Sequence, residues 1–421
     1  MSPTAATSLA QGETGHLRPA FLPDGRHFLY ATNGGGRAVP GVAIYLSSLD
    51  STERKLIMRA DTANVVYAQG YLLFMRGSTL MAQPFDLHKL ELTGEAVPVG
   101  EEIRTLLTPG FGTFSASENG LLAFQSGEAG NRSQFTWFDR SGKQLAMLGD
   151  PAAYYNVEFS PDRRQLATMI RNGRLWDIWI YAVGRSVRTR FTFGPTDHDE
   201  GIWSPDASHI AFAKYQNGRS DLYQKAVSGA GAEEALLEDD SPKIPSSWSP
   251  DGRYLLYDRF SGATGWDMFV LPLFGDRKPF AFLQTQFNEF LGRFSPDGRW
   301  VAYSSNESGR SEIYVAPFPG PGGKWQVSTG GGAFPRWRGD GSEIFYLALD
   351  NKLMAATVNG KGAGMQVGAV RPLFNSHVQA ARTSTNSSYD VSADGQRFLI
   401  NAVRRGQLPG PSQWFSTGLW G

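Results

Sequence analysis

The residues best suited to chemistry stand together at Asp197-His198-Asp199-Glu200, four consecutive side chains able to bind a cation or move a proton. They lie just before an apolar run that ends in Trp203. One such run is not a metal centre, which needs oxygens or imidazoles converging from several segments; a solvated loop is the better reading. Tyr154, Tyr155, Asn156, Lys243, Asn288, Glu289, Arg336 and Tyr389 occupy comparable places elsewhere in the chain. Mixed charge with aromatics suits a peptide or a small polar ligand, while the bland reading pairs Arg336 with Glu289 or with water. A further set of acids, Asp177, Asp221, Asp267 and Glu312, recurs at fixed phase ahead of a strand. Recurrence of that kind points to a structural hydrogen bond at a loop, not to catalysis.

Other chemistries find little support. There is no Gly-x-Ser-x-Gly elbow and no hydrolase domain after the repeats. The six histidines (His16, His27, His88, His198, His209, His377) show no metal spacing, and cysteine is absent. The glycine runs Gly34–Gly36 and Gly330–Gly332 lack a following helix and read as turns, not phosphate cradles. Gly320–Gly323 with Pro317, Pro319 and Pro321 reads as a rigid exposed loop. No catalytic residue, no metal and no cofactor are expected.

What places these residues is a repeat. A Ser-Pro-Asp-Gly turn, preceded by an aromatic and followed by an alternating apolar run, puts its Asp at Asp162, Asp206, Asp251 and Asp297, then in degenerate form at Asp340 and Asp394. Asp24 opens the same pattern upstream, and weaker copies centre on Gln69 and Asn119, giving nine units. Pro presets φ near −65° in such a turn, Ser and Asp bond nearby backbone, and Gly accepts positive φ. Arg163 and Ala207 stand in the Gly place, at about 1 kcal/mol each if they keep that conformation. Each unit reads as four short strands: one ending in Phe159, Trp203, Trp248, Phe294 or Trp337; one such as HIAFAK or WVAYSS; one such as DIWIYAV or EIYVAPF; and a looser fourth. Units of this kind cannot bury both faces alone and must stack. The expected fold is all-β, a β-propeller of about nine four-stranded antiparallel blades.

Six units follow residue 151, and six blades close a ring. The expected domains are a disordered tail over 1–16, a three-blade arc over 17–150 and a six-bladed ring over 151–421, with a single ring of eight or nine blades as the rival. The last unit is expected to supply three strands (YDVSADGQRFLINA, then PSQWFSTGLW), with a fourth from around Gln144–Leu148 locking the ring. Loops joining one blade's outer strand to the next blade's inner strand then carry Tyr155, Asn156, Asp197, His198, Asp199, Glu200, Lys243, Asn288, Glu289, Arg336 and Tyr389 to the channel mouth.

Composition narrows the partners. Lys plus Arg equals Asp plus Glu at 40 each, so no net field draws nucleic acid or an anionic membrane. The opening MSPTAATSLAQGETGH has no apolar core and no basic flank, so no secretion signal is expected. No apolar run reaches the length of a membrane helix, and a soluble chain is expected.

The stretches FSPDGRWVAYSSNESGRSEIYVAPFPGPGGKWQVSTGGG, WDMFVLPLFGDRKPFAFLQTQFNEF and FLPDGRHFLYATN resemble TolB-like and WD-repeat-like propeller repeats. More specifically they resemble the C-terminal sensor region of bacterial membrane-anchored serine/threonine protein kinases, over nearly the whole chain. In that family the region follows a kinase domain and one membrane helix, and the resemblance implies an extracytoplasmic location and two six-bladed rings, the first shortened here. The chain has no Val-Ala-x-Lys strand after a glycine-rich loop, no His-Arg-Asp and no Asp-Phe-Gly, so the resemblance lends it no phosphoryl transfer. The expected function is a non-catalytic module binding a protein, peptide or small polar ligand. Its alternatives are a scaffold binding proteins on its rim and a channel-based, metal-dependent hydrolase or lyase.

Overall fold

A computed structural model describes residues 7–8, 13–34, 42–101, 103–106, 111–117, 119–125, 133–172, 175–185, 187–216, 219–229, 231–320, 322–362, 364–376, 378, 387–403 and 413–416. Every regular element among them is a β-strand. His377, Pro321, Gly35, Gly36 and much of the 1–16 segment lie outside the described residues; Glu13–His16, expected in the disordered tail, begin the first strand, Glu13–Phe21.

The recurring turn explains why the chain reverses where it does. In the copies built on Ser160, Ser204, Ser249, Ser295 and Ser392 the Ser hydroxyl donates to the Asp carboxylate and accepts the N–H five residues on. Ser249 Oγ lies 2.6 Å from Asp251 Oδ1 and 2.9 Å from Tyr254 N, and Ser295 repeats this with Asp297 and Trp300. The Gly position is left-handed: Gly252 has φ 75°, and Arg163 and Ala207 keep φ 61° and 57°. The aromatics before the turns are core. Trp203 Nε1 donates to the Glu158 carbonyl and Trp337 Nε1 to the Arg293 carbonyl, so two of them also stitch neighbouring blades together.

The chain divides into two compact units, residues 132–404 and residues 1–131 with 405–421. The first holds six four-stranded antiparallel sheets. Blade 1 is Glu158–Phe159, Gln165–Asn172, Leu175–Ala182 and Val187–Arg190; blade 2 is His198–Trp203, His209–Gln216, Arg219–Ala226 and Glu234–Leu237. Blade 3 is Lys243–Trp248, Tyr254–Ser261, Gly265–Pro272 and Phe280–Leu283; blade 4 is Glu289–Phe294, Trp300–Ser305, Glu312–Pro317 and Trp325–Gln326. Blade 5 is Ala333–Trp337, Glu343–Leu347, Lys352–Asn359 and Gln366–Asn375.

Blade 6 joins both ends of the unit. Its inner strands Tyr389–Val391 and Arg397–Val403 are completed by Ser133–Asp139 and Gln144–Ala152. Two upstream strands therefore close the ring where the sequence suggested one. The SQFTWFD segment pairs along its full length with Arg397–Val403 and buries Phe135 and Phe138. The Gln413–Ser416 strand, expected in the ring, pairs instead with Leu121–Phe124 in the other unit.

Burial shows the closure directly. Each pair of consecutive blades shares one apolar cluster. Leu256, Met268 and Val270 of blade 3 meet Phe294, Val301 and Tyr303 of blade 4, for example. Phe135, Leu148 and Leu399 of blade 6 meet Val157, Phe159 and Leu166 of blade 1. Blade 6 thus packs on blade 1, as a closed six-bladed ring requires. The other unit has three blade-like sheets, beginning with Glu13–Phe21, Val66–Ala68 and Phe114–Ala116, with apolar clusters only between consecutive sheets among the described residues. It is an arc.

Candidate functional site

The inner strands of blades 2, 4 and 5 each break register once, between Asp199 and Ile202, Phe290 and Arg293, and Ala333 and Arg336. The bulged residues Glu200, Leu291 and Phe334 are left-handed, with φ 50°, 60° and 61°. Bulges re-aim side chains and increase local twist. Beside them, charged residues from blades on opposite sides of the ring meet. Glu158 of blade 1 accepts hydrogen bonds from Arg293 of blade 4 at 2.9 Å and Arg336 of blade 5 at 2.8 Å. Arg336 Nη2 also donates to the Val157 carbonyl at 3.2 Å, and its Nε lies 3.6 Å from Asp390 of blade 6. Tyr389 donates its hydroxyl to the Phe334 carbonyl at 2.8 Å. The hub is an ionic cluster spanning the ring.

Its electrostatics follow from burial. The Glu200 carboxyl is pushed well above the usual range, first by burial and then by the neighbouring Asp199 charge. Asp258 of blade 3 rises to about 7 because it is buried, against the opposing effect of its bond from the Leu291 N–H and of Arg293. Burial and the adjacent Arg336 lower Arg293; burial also works against Arg336, but Glu158 and Asp390 more than offset it there. Glu200 Oε1 and Asp258 Oδ1 have no hydrogen-bond partner. Two guanidinium charges thus balance two paired carboxylates, and two further carboxyls are favoured in the protonated form. Glu200 and Asp258 are 4% and 1% exposed and lie within the packed hub.

The sequence-chosen residues divide into groups. Glu200, Arg336 and Tyr389 enter the hub, with Asp199 buried beside Glu200. His198, Lys243 and Glu289 each begin an inner strand, are buried, and lie against the acid of the preceding blade. Lys243 Nζ is 2.6 Å from Asp221 Oδ1, His198 Nδ1 is 3.8 Å from Asp177 Oδ1, and Glu289 feels the Asp267 charge. Asp197, Asn288 and Asn156 fasten hairpins by accepting the Trp176, Trp266 and Met169 N–H groups. Half-buried Tyr155 packs on Trp176 with ring centres 4.8 Å apart. Arg336 and Glu289 do not pair with each other; Arg336 takes Glu158. The recurring acids are loop anchors: Glu312 accepts the Ser328 hydroxyl and the Gly331 N–H, and Asp177 accepts the Thr192 hydroxyl.

Glu158, Arg293, Asp258 and Asp390 were not singled out from the sequence. A signal for three of them was present. Glu158, Arg293 and Asp390, like Arg336, stand immediately before the residue that precedes the turn serine or its equivalent. Blades 2 and 3 have Ile202 and Ser247 there, and the Ser247 hydroxyl accepts the Phe294 N–H. A single phase of the repeat therefore supplies four of the hub's charges.

Among the described residues, no group of three or more His, Asp or Glu side chains is placed to hold a metal ion, and no helix is long and apolar enough to cross a membrane. No family model matches the chain. An uncharacterized protein of Agrobacterium fabrum is 25% identical over 219 residues, covering 50% of this chain and 71% of that protein. The Tol-Pal system protein TolB of Anaeromyxobacter dehalogenans is 30% identical over 113 residues, 25% of this chain and 24% of that protein. A structure described as a TolB from Agrobacterium tumefaciens superposes with a TM-score of 0.50 over 68% of this chain and 99% of its own, at 16% identity. The fold is a TolB-like β-propeller. The match to the Anaeromyxobacter TolB spans about a quarter of that protein, so the TolB-like likeness describes architecture and leaves activity to be argued from the site.

Proposed function

We propose that this TolB-like propeller is a non-catalytic binding module that takes a peptide or small polar ligand on the face bearing the loops between outer and inner strands. The observation that carries the reading is the Glu158 bridge to Arg293 and Arg336. It consumes the hub's charges in holding blades together, and the two carboxyls that each keep one oxygen unpaired lie inside the packed hub. Loop surface over a rigid ring is what remains to meet a ligand, as in other preformed sites. Following its resemblance to kinase sensor regions, we read the module as extracytoplasmic, with ligand capture reported to a kinase domain across a membrane.

Selection of displayed peptides on the full chain tests this, with enriched peptides re-measured on Tyr155→Ala and Leu145→Asp variants. Binding lost in the first and kept in the second supports the loop face. No enriched peptide, or loss only in the second, overturns it. A rim scaffold is the second reading, because the outer strands of blades 5 and 6 are 10 and 9 residues long and expose Val370, Leu145 and Met147.

A further inference from the structure

Four consecutive blades carry an acid at the same phase, and three of the four acids have a cation. Asp177 takes Arg190 at 2.7 Å, Asp221 takes Lys243 at 2.6 Å and Arg219 at 3.1 Å, and Glu312 takes Arg310 at 3.0 Å. Asp267 of blade 3 is the exception. Its Oδ2 accepts only neutral donors, Thr264 Oγ1 at 2.6 Å and Gln284 Nε2 at 3.2 Å, while its Oδ1 has no hydrogen-bond partner although the side chain is wholly buried. Arg259 faces Asp267 across the β-ladder but turns away, its guanidinium donating to Ser241 Oγ at 3.1 Å and lying over the Phe269 ring.

The next inner strand deepens the imbalance. Where blade 3 begins with Lys243, blade 4 begins with Glu289. Glu289 is 2% exposed; Thr285 donates to its Oε1 at 2.6 Å, and its Oε2 has no partner. Burial raises its carboxyl, and the Asp267 charge raises it further. Two neighbouring buried acids thus keep one oxygen each unsatisfied, an unfavourable state for a buried polar group. Wholly buried as its side chain is, Asp267 stands at the wall of a cavity and not in continuous packed core. It lines an open cleft of about 410 Å³ whose walls include Phe260, Phe269, Arg259 and Ser241.

We propose that this cleft is a subsite for an alkylammonium group, the side chain of a lysine on the peptide or protein ligand. The preceding blade displays the chemistry within the same molecule. Lys243 Nζ is held by Asp221 Oδ1, by the Ser241 carbonyl at 2.7 Å and by Asp239 Oδ1 at 3.0 Å. An incoming ammonium gives Asp267 the cation that its counterparts already have, and the Phe260 face accommodates an aliphatic stem as amphipathic side chains require. Two carboxylates are a poor donor set for a divalent metal, which takes six or more oxygens in the case of calcium. The proposal rests on the reading of the ring as a binding module and names the ligand chemistry at its loop face.

The test titrates the full chain with Nα-acetyl-lysine N-methylamide, its norleucine analogue and calcium chloride, following saturation-transfer NMR and melting temperature. The lysine amide is expected to bind at least tenfold more tightly than the norleucine analogue. Asp267→Asn and Glu289→Lys are each expected to weaken it at least tenfold. Glu289→Lys places an ammonium where Lys243 has one, so it is expected to melt no lower than wild type, which keeps the test decisive if Asp267→Asn folds poorly. Equal binding of both amides, no binding of either, or binding untouched by Glu289→Lys overturns the proposal. So does calcium binding that Glu289→Lys abolishes and the lysine amide does not compete with. Displayed peptides that bind the loop face without a lysine, and equally well to Glu289→Lys, would overturn the subsite while leaving the binding module standing.

Discussion

Replacing Asp258 with Asn isolates the most perturbed simple acid in the hub. Asp258 is 1% exposed, accepts the Leu291 N–H at 2.9 Å through Oδ2, and has no partner on Oδ1. Burial lifts its carboxyl from 3.8 to about 7, so the native state binds this proton more tightly than the unfolded chain does. The group's contribution to stability is therefore complete below about pH 4, is lost as pH rises towards 7, and is flat above that. At about 1.4 kcal/mol for each tenfold change in proton affinity, the loss reaches at most ~4 kcal/mol, and relaxation round the charge makes about 2–4 kcal/mol the working expectation. Asn keeps the shape and the acceptor for Leu291 but never ionises. The variant should exceed wild type by about 1–2 kcal/mol at pH 5 and by about 2–4 kcal/mol at pH 8, where the increase in Tm is about 4–8 °C. Thermal melts of both proteins across pH 5–8 measure the gap. A gap that does not change with pH, or a variant less stable than wild type at pH 8, would refute the argument that burial keeps this carboxyl protonated.

Glu158→Gln should cost about 3–5 kcal/mol, because Arg293 is left buried without its carboxylate; a loss under about 1 kcal/mol in the same melts would mean that the bridge is incidental. Ala207→Gly should stabilise by about 0.5–1 kcal/mol, since relief of a left-handed Ala outweighs the added chain entropy of Gly. Arg163→Gly should gain less, because it gives up a 3.3 Å contact with Asp390; equal gains would show that this ion pair contributes nothing. Residues 132–404 should fold alone, whereas 151–404 should not, because Arg397–Val403 would lose its partner strand Ser133–Asp139; equal resistance of both fragments to limited proteolysis would contradict this.

The turns were legible because their chemistry is local. Ser, Pro, Asp and Gly fix one reversal within six residues, and the period follows from counting. Closure was harder to read, since pairing of Ser133–Asp139 with Arg397–Val403 joins segments far apart in sequence, and nothing local distinguishes SQFTWFD from the final strand of an earlier blade. The site was legible only in part for a similar reason. Asp197, His198 and Lys243 drew attention as charges in loops, yet inter-blade packing buries them to fasten hairpins and anchor acids. Bulges at Glu200, Leu291 and Phe334 cannot be read from residue type, because none of these is a residue that favours positive φ. Arg336 could be chosen, but its partner Glu158 sits four blades away round one side of the ring.

The order of charges round the hub bears on why the ring has six blades. At the phase before the turn aromatic or its equivalent, blades 1 to 6 carry Glu158, Ile202, Ser247, Arg293, Arg336 and Asp390. Negative residues thus fall on blades 6 and 1 and positive ones on blades 4 and 5, and in a six-membered circle blade 1 faces blade 4. The 2.9 Å bond between Glu158 and Arg293 is the expression of that opposition. Apolar side chains of similar volume often stabilise a buried site as well as ions do, so stability alone gives little reason for charges here. Pairing does. A ring of seven sheets would set Glu158 off the Arg293 axis and leave buried charges unpaired. On this view the hub selects the number of blades, and the proposed binding face gains its rigidity from that selection. Such a role requires Glu158→Gln to broaden or misclose the ring as well as weaken it, which separates it from an ordinary stabilising ion pair.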